Sequence, residues 1–192
     1  MIAPGNDVET FLSGGGQIVH NFGLSMSLMF VLSVFRPSER WAKGLAGALL
    51  LCLWSGCAIV GAKTGFRVQV VGSPAWIAQY AVIWIYPLWS TFECFSYYGK
   101  LPRRVAIGLA EPVVVNRFCL WGVASLLTAA ATWTASIPFA IYRSPELLLA
   151  WTPAIQVATA SVGLVTVTCY ALIFFPPKRY GEWLRADAPS AD

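Results

Sequence analysis

Residues 75–99 read AWIAQYAVIWIYPLWSTFECFSYYG. Coiled into a helix at about 1.5 Å per residue, such a stretch reaches about 37 Å, more than the roughly 30 Å of a bilayer's hydrocarbon core. It is apolar and crowded with Trp, Tyr and Phe, is interrupted by Pro87, and carries one carboxylate, Glu93. These features predict the central membrane-spanning helix of a small multi-pass protein.

The composition agrees. Of 192 residues, 57% are hydrophobic and 11% are charged, so repeated apolar runs are expected and a soluble domain is not. The net charge of +4 comes from short basic pairs set between apolar runs. That distribution marks topology and gives no basic patch for nucleic acid. Five cysteines without CxxC or Cys/His spacing argue against a disulfide framework and against a metal site. The N-terminal residues lack a basic segment ahead of the first apolar run, so no cleaved leader is expected.

Working outward from residues 75–98, four further spans are predicted, at about 17–35, 44–62, 115–137 and 150–174. The expected fold is an all-α integral membrane bundle of five transmembrane helices occupying 17–175. Residues 1–16, ending in Gly14-Gly15-Gly16, read as a flexible lead-in, and 176–192 as a polar cytoplasmic tail. Val68 to Val71 in the second loop have the look of a short extended piece. Pro102 and Pro112 bracket a short interfacial helix. Ten Lys and Arg belong to the first loop, third loop and tail when Arg117, at the inner end of the fourth span, is counted with the third loop, against three in the second and fourth loops. This bias places the N-terminus outside and the C-terminus in the cytoplasm, in the cell membrane.

Depth then sorts the polar residues. Glu93 lies about 10 Å on the cytoplasmic side of Tyr86, the middle of the third span, and Asn116 and Arg117 fall at a similar level on the fourth. A membrane-buried carboxylate is costly unless paired, so an inner latch of Glu93 with Arg117, beside Asn116, is expected. Near the outer end, His20 and Asn21 of the first span share a level with Gln79 of the third, Thr134 of the fourth and Gln156 of the fifth. With Tyr80 and Trp84 along one third-helix face, these residues are expected to line an outward-facing polar and aromatic pocket for a small amphipathic or aromatic ligand. Pro87 is the candidate hinge, because proline removes a backbone donor and frees a carbonyl one turn earlier.

Trp84, Tyr86, Pro87 and Trp89 resemble the aromatic-and-proline helix that flanks retinal in microbial rhodopsins. A mid-membrane lysine for a Schiff base is missing: Lys63 ends the second span and Lys100 follows the third. No cofactor is therefore expected. Cys94, Cys119 and Cys169 share an inner level and read as small packing residues. No nucleophile-base pair or metal-ligand set is visible, so no catalytic residue is named. The sequence reads as a binding, sensing or conducting module. The alternatives are an accessory subunit, in a homo-oligomer or a larger membrane complex, and a lipid-modifying enzyme using Glu93, Asn116 and Arg117.

Overall fold

The computed structural model describes residues 7–66, 72–141 and 145–186, and all regular structure among them is helical. Seven helices follow one another: α1 (Asp7–Phe35), α2 (Arg40–Thr64), α3 (Pro74–Tyr98), α4 (Leu101–Ala106), α5 (Pro112–Ile141), α6 (Pro145–Phe174) and α7 (Lys178–Ala186). Among the described residues, four stretches are long and apolar enough to cross a membrane: Phe11–Phe35, Arg40–Thr64, Pro112–Ser136 and Trp151–Phe174. Helix α3 matches α2 in length, at 25 residues, but is not one of these four stretches.

The chain divides into two compact units, Met1–Tyr86 and Pro87–Asp192, with the division inside α3 at Pro87. In the first unit α1 packs on α2. The buried positions of α2 include Ala42, Ala46, Leu49, Leu53, Gly56 and Val60, spaced alternately four and three apart. Those of α1 include Asn21, Ser25, Leu28 and Leu32 with the same alternation. That spacing is the seam of a left-handed helix pair, and small residues on it let backbones approach closely.

The N-terminal half of α3 joins this unit through Gly56. A Cβ at that glycine would stand 2.8 Å from the Ala75 carbonyl oxygen and 2.8 Å from Gln79 Cγ, so only glycine admits the α3 backbone here. Ser73 precedes Pro74 at the start of α3, and its hydroxyl accepts the Trp76 backbone N–H at 3.2 Å. A serine cap followed by proline in the first turn is a strong helix start.

The flexible lead-in expected over residues 1–16 is replaced by helix from Asp7 onward. Its reason lies in the α2 terminus, where the chain turns through Gly65 and Phe66, both at positive φ (57° and 64°). The Phe66 ring seats against Gly14 and Gly61, and Ser13 Oγ donates to the Phe66 carbonyl at 2.7 Å. Gly14 is thus a contact surface inside α1. The expected extended piece, Val68 to Val71, lies outside the described residues.

In the second unit α5 pairs along its length with α6 and also meets α4 and α7. The C-terminal half of α3 meets α5 where the Phe95 ring covers Gly122 and where the Ser90 and Ser125 hydroxyls bond at 2.8 Å. The Trp121 ring lies edge-on to Tyr170 and Phe174 of α6, with centroids 6.1 and 5.9 Å apart. Helix α5 begins at Pro112, which suits a first helical turn, and runs past Pro138, where the sequence reading ends it. The interfacial helix expected between Pro102 and Pro112 stops at Ala106, and the tail expected to be merely polar contains α7.

Candidate functional site

The first unit holds a buried carboxamide cluster. Gln17 and Asn21 stand one turn apart on the same side of α1, and Gln79 reaches them from α3. The Gln17 Nε2 group donates to Asn21 Oδ1 at 3.2 Å and to Gln79 Oε1 at 3.3 Å. Asn21 and Gln79 are 0% and 1% exposed. One turn along α1, Ser25 Oγ donates to the Asn21 carbonyl at 2.8 Å and accepts Trp54 Nε1–H of α2 at 3.1 Å.

The cluster is not closed. Asn21 Nδ2 is buried with no hydrogen-bond partner among the described residues, although the Cys57 thiol lies beside Asn21. A buried donor left unpaired costs about 1–3 kcal/mol, so this amide group has capacity to bind that the fold does not use.

Two features flank it. Trp76, Tyr80 and Trp84 follow at one-turn intervals on α3: Trp76 stacks on Tyr80 with centroids 4.2 Å apart, and Trp84 meets the two rings edge-on at 5.8 and 5.9 Å. A cavity of about 300 Å³ lies between the end of α2 and the start of α3, with Lys63, Thr64 and Ser73 in its wall and Ala75 beside them. Ala75 is the residue whose carbonyl rests on Gly56, one helical turn before Gln79. The cavity therefore ends one turn from the carboxamides.

His20 is exposed, although Asn21 beside it is buried. Consecutive helical residues point about 100° apart, so depth alone could not tell which of the two faces inward. Thr134 and Gln156 belong to the second unit and are also exposed.

In that unit, Glu93 is 4% exposed and Arg117 is exposed, so the two do not share the buried setting that depth predicts. The Glu93 Oε1 atom accepts Trp89 Nε1–H at 3.2 Å, one turn back on the same helix. Asn116 Nδ2 donates to Tyr180 Oη at 2.8 Å, tying α7 to α5. Pro87 sits inside an unbroken α3, and the Thr91 hydroxyl donates to its carbonyl at 2.7 Å. Among the described residues, no three His, Cys, Asp or Glu side chains gather as a metal site would require.

No family model, curated protein or solved structure matches this chain.

Sequence reading missed Gln17, Ser25 and Gly56. Gln17 and Ser25 carry a visible signal, since each stands four residues from Asn21 on one helical stripe. Gly56 had none: its role depends on which residue of α3 lies opposite, and pairing register is not written in either helix alone.

Proposed function

We propose that this chain is a five-span protein of the cell membrane, with α3 as the fifth span, its N-terminus outside and its C-terminus in the cytoplasm. Within it, the first unit acts as a binding module for a small amphipathic or aromatic ligand. The observation that carries this reading is the buried Asn21 Nδ2 donor, which has no hydrogen-bond partner among the described residues and is held beside Gln17 and Gln79. A hydrogen-bond acceptor on the ligand supplies what that group lacks, and the half-buried rings of Tyr80 and Trp84 offer apolar surface nearby. The cavity ending at Ala75 is the approach, on the outer side in this orientation.

The test is native mass spectrometry of gently extracted protein beside its Asn21→Leu variant. The expected result is a reproducible small-molecule adduct on the wild type that the variant lacks, at unchanged oligomeric state. An adduct of equal intensity on both proteins removes the carboxamide cluster from the binding site.

A second reading, an accessory subunit of a larger membrane complex, is favoured by α6. Within its apolar stretch Trp151–Phe174, only 11% of the most apolar 18-residue window is buried, and the exposed side chains include the carboxamide of Gln156. An uncovered carboxamide facing hydrocarbon is unfavourable, so a partner helix over Gln156 suits this surface better than lipid does. Polydisperse, unliganded protein in the same experiment supports this reading over the first.

A further inference from the structure

The second unit contains a cleft of about 490 Å³ where the end of α3, helix α4 and the start of α5 meet. Its walls include Tyr97, Leu101, Arg104, Glu111, Val114 and Phe118, and its volume lies within the range of small-ligand sites, about 300–1,000 Å³. A cation and an anion therefore line one cavity. Among the described residues they are not joined to each other.

The Arg104 side chain and the Glu111 backbone are each fixed by neighbouring structure. The Arg104 guanidinium lies over the Tyr97 ring at 5.6 Å, and its Nη1 donates to Tyr97 Oη at 3.1 Å. That contact fixes the side chain and leaves most of its five N–H donors for a ligand. Glu111 leads into α5, its carbonyl accepting the backbone N–H groups of Val114 and Val115 at 3.0 and 3.3 Å.

The loop between the two charges is pinned as well. Gly108, at φ 71°, donates to the Val105 carbonyl at 2.9 Å, and the Leu109 N–H reaches the Arg104 carbonyl at 2.8 Å. This pair of bonds is a Schellman closure of α4. It leaves Ile107 and Leu109 on the rim of the loop, 68% and 74% exposed.

We infer that this cleft binds a zwitterionic phosphoester of the phosphoethanolamine type, its phosphate on Arg104 and its primary ammonium on Glu111. Arginine offers a planar fork of donors to phosphate oxygens, and a primary ammonium donates hydrogen bonds to a carboxylate, which a quaternary ammonium cannot do. A purely anionic headgroup meets Arg104 equally well but is repelled by Glu111. Ile107 and Leu109 suit the acyl chains of a phospholipid carrying that headgroup, in the cytoplasmic leaflet given the proposed orientation. The inference rests on the reading of the apolar helices as membrane spans.

The experiment uses the full chain in nanodiscs, exchanged against phosphatidylethanolamine, phosphatidylcholine and phosphatidylglycerol, with retained lipid counted by native mass spectrometry. Phosphatidylethanolamine is expected to be retained over the other two by about tenfold, the discrimination that one charge-assisted contact supplies. Arg104→Gln should abolish that retention. Glu111→Gln should erase the preference over phosphatidylglycerol, and Glu111→Lys should reverse it. Both positions are exposed, so the variants should fold, and an unchanged thermal midpoint checks this. Displacement of the lipid by soluble O-phosphoethanolamine identifies the free ester as a ligand of the same site; failure to displace it identifies the lipid. Equal retention of all three lipids, or a preference untouched by Glu111→Gln, overturns the proposal and leaves Glu111 as a charge at a helix start. Release of the chain from membranes by alkaline carbonate overturns the membrane reading itself. Retention in the membrane without lipid selectivity overturns only this site.

Discussion

The Phe66 ring comes within 2.6 Å of the point where a Cβ on Gly61 would lie. The ring fills the notch that glycine leaves on α2 and also meets Gly14 of α1, at 2.9 Å from the equivalent point. Phe66 holds φ 64°, a conformation that costs a bulky residue about 1–3 kcal/mol and persists only when its surroundings enforce it.

Gly61→Ala and Gly14→Ala should each push the ring out of its seat and destabilise the protein by about 1–3 kcal/mol, the usual range for overpacking. Thermal unfolding in detergent measures this. In a Phe66→Ala background both substitutions should become nearly neutral, because the clash has been removed. Equal losses in the two backgrounds would show that the glycines matter for some other reason.

Gly56→Ala is a harsher case. One of the atoms a new Cβ meets is the Ala75 carbonyl oxygen, which belongs to backbone and cannot rotate away. Helix α3 must shift, and the Gln17–Gln79 hydrogen bond should go with it. Gly44→Ala, Gly47→Ala and Gly163→Ala meet nothing within 4 Å and provide the contrast. Those three should be neutral or stabilising by up to about 1 kcal/mol, since alanine is the better helix former. A Gly56→Ala protein as stable as they are would remove the close approach of α2 and α3.

This contrast also shows what the sequence could reveal. The apolar runs and their bracketing prolines predict long helices, and the structure has them at 40–64, 74–98, 112–141 and 145–174. The Ser73-Pro74 start was readable for the same reason, since a cap acts within a few residues. Contacts between helices were not readable. Glu93 and Arg117 share a predicted depth, but depth fixes one coordinate and leaves rotation about each helix open: Glu93 turns inward and Arg117 outward. Asn21 and Gln79 share a level too, and both turn inward. Gly14, Gly15 and Gly16 favour flexibility by local propensity, and the Phe66 ring, fifty residues away in sequence, overrides it at Gly14.

The different settings of Glu93 and Arg117 have their own test. Arg117→Gln should change stability by no more than about 0.5 kcal/mol, as surface substitutions do. Glu93→Gln keeps an oxygen acceptor for Trp89 Nε1–H, whereas Glu93→Leu removes it and should cost about 1–3 kcal/mol. The double substitution of Glu93→Gln with Arg117→Gln should be additive to within about 0.5 kcal/mol. A larger coupling restores the latch.

The Asn116–Tyr180 bond is the polar tie that holds α7 to α5 in this structure. Tyr180 also stacks on Trp183 at 6.1 Å, so its ring has a second anchor on α7 itself. Tyr180→Phe keeps that stacking and deletes only the hydroxyl, with a global cost expected at about 0.5–1.5 kcal/mol. The local effect should be larger than the global one, because α7 is a short helix of nine residues and opens more easily than the long helices do. Hydrogen exchange should therefore show faster exchange across 178–186 in Tyr180→Phe and in Asn116→Ala, with α5 and α6 unchanged. Equal protection of 178–186 in wild type and both variants would mean that stacking and apolar contact alone dock α7.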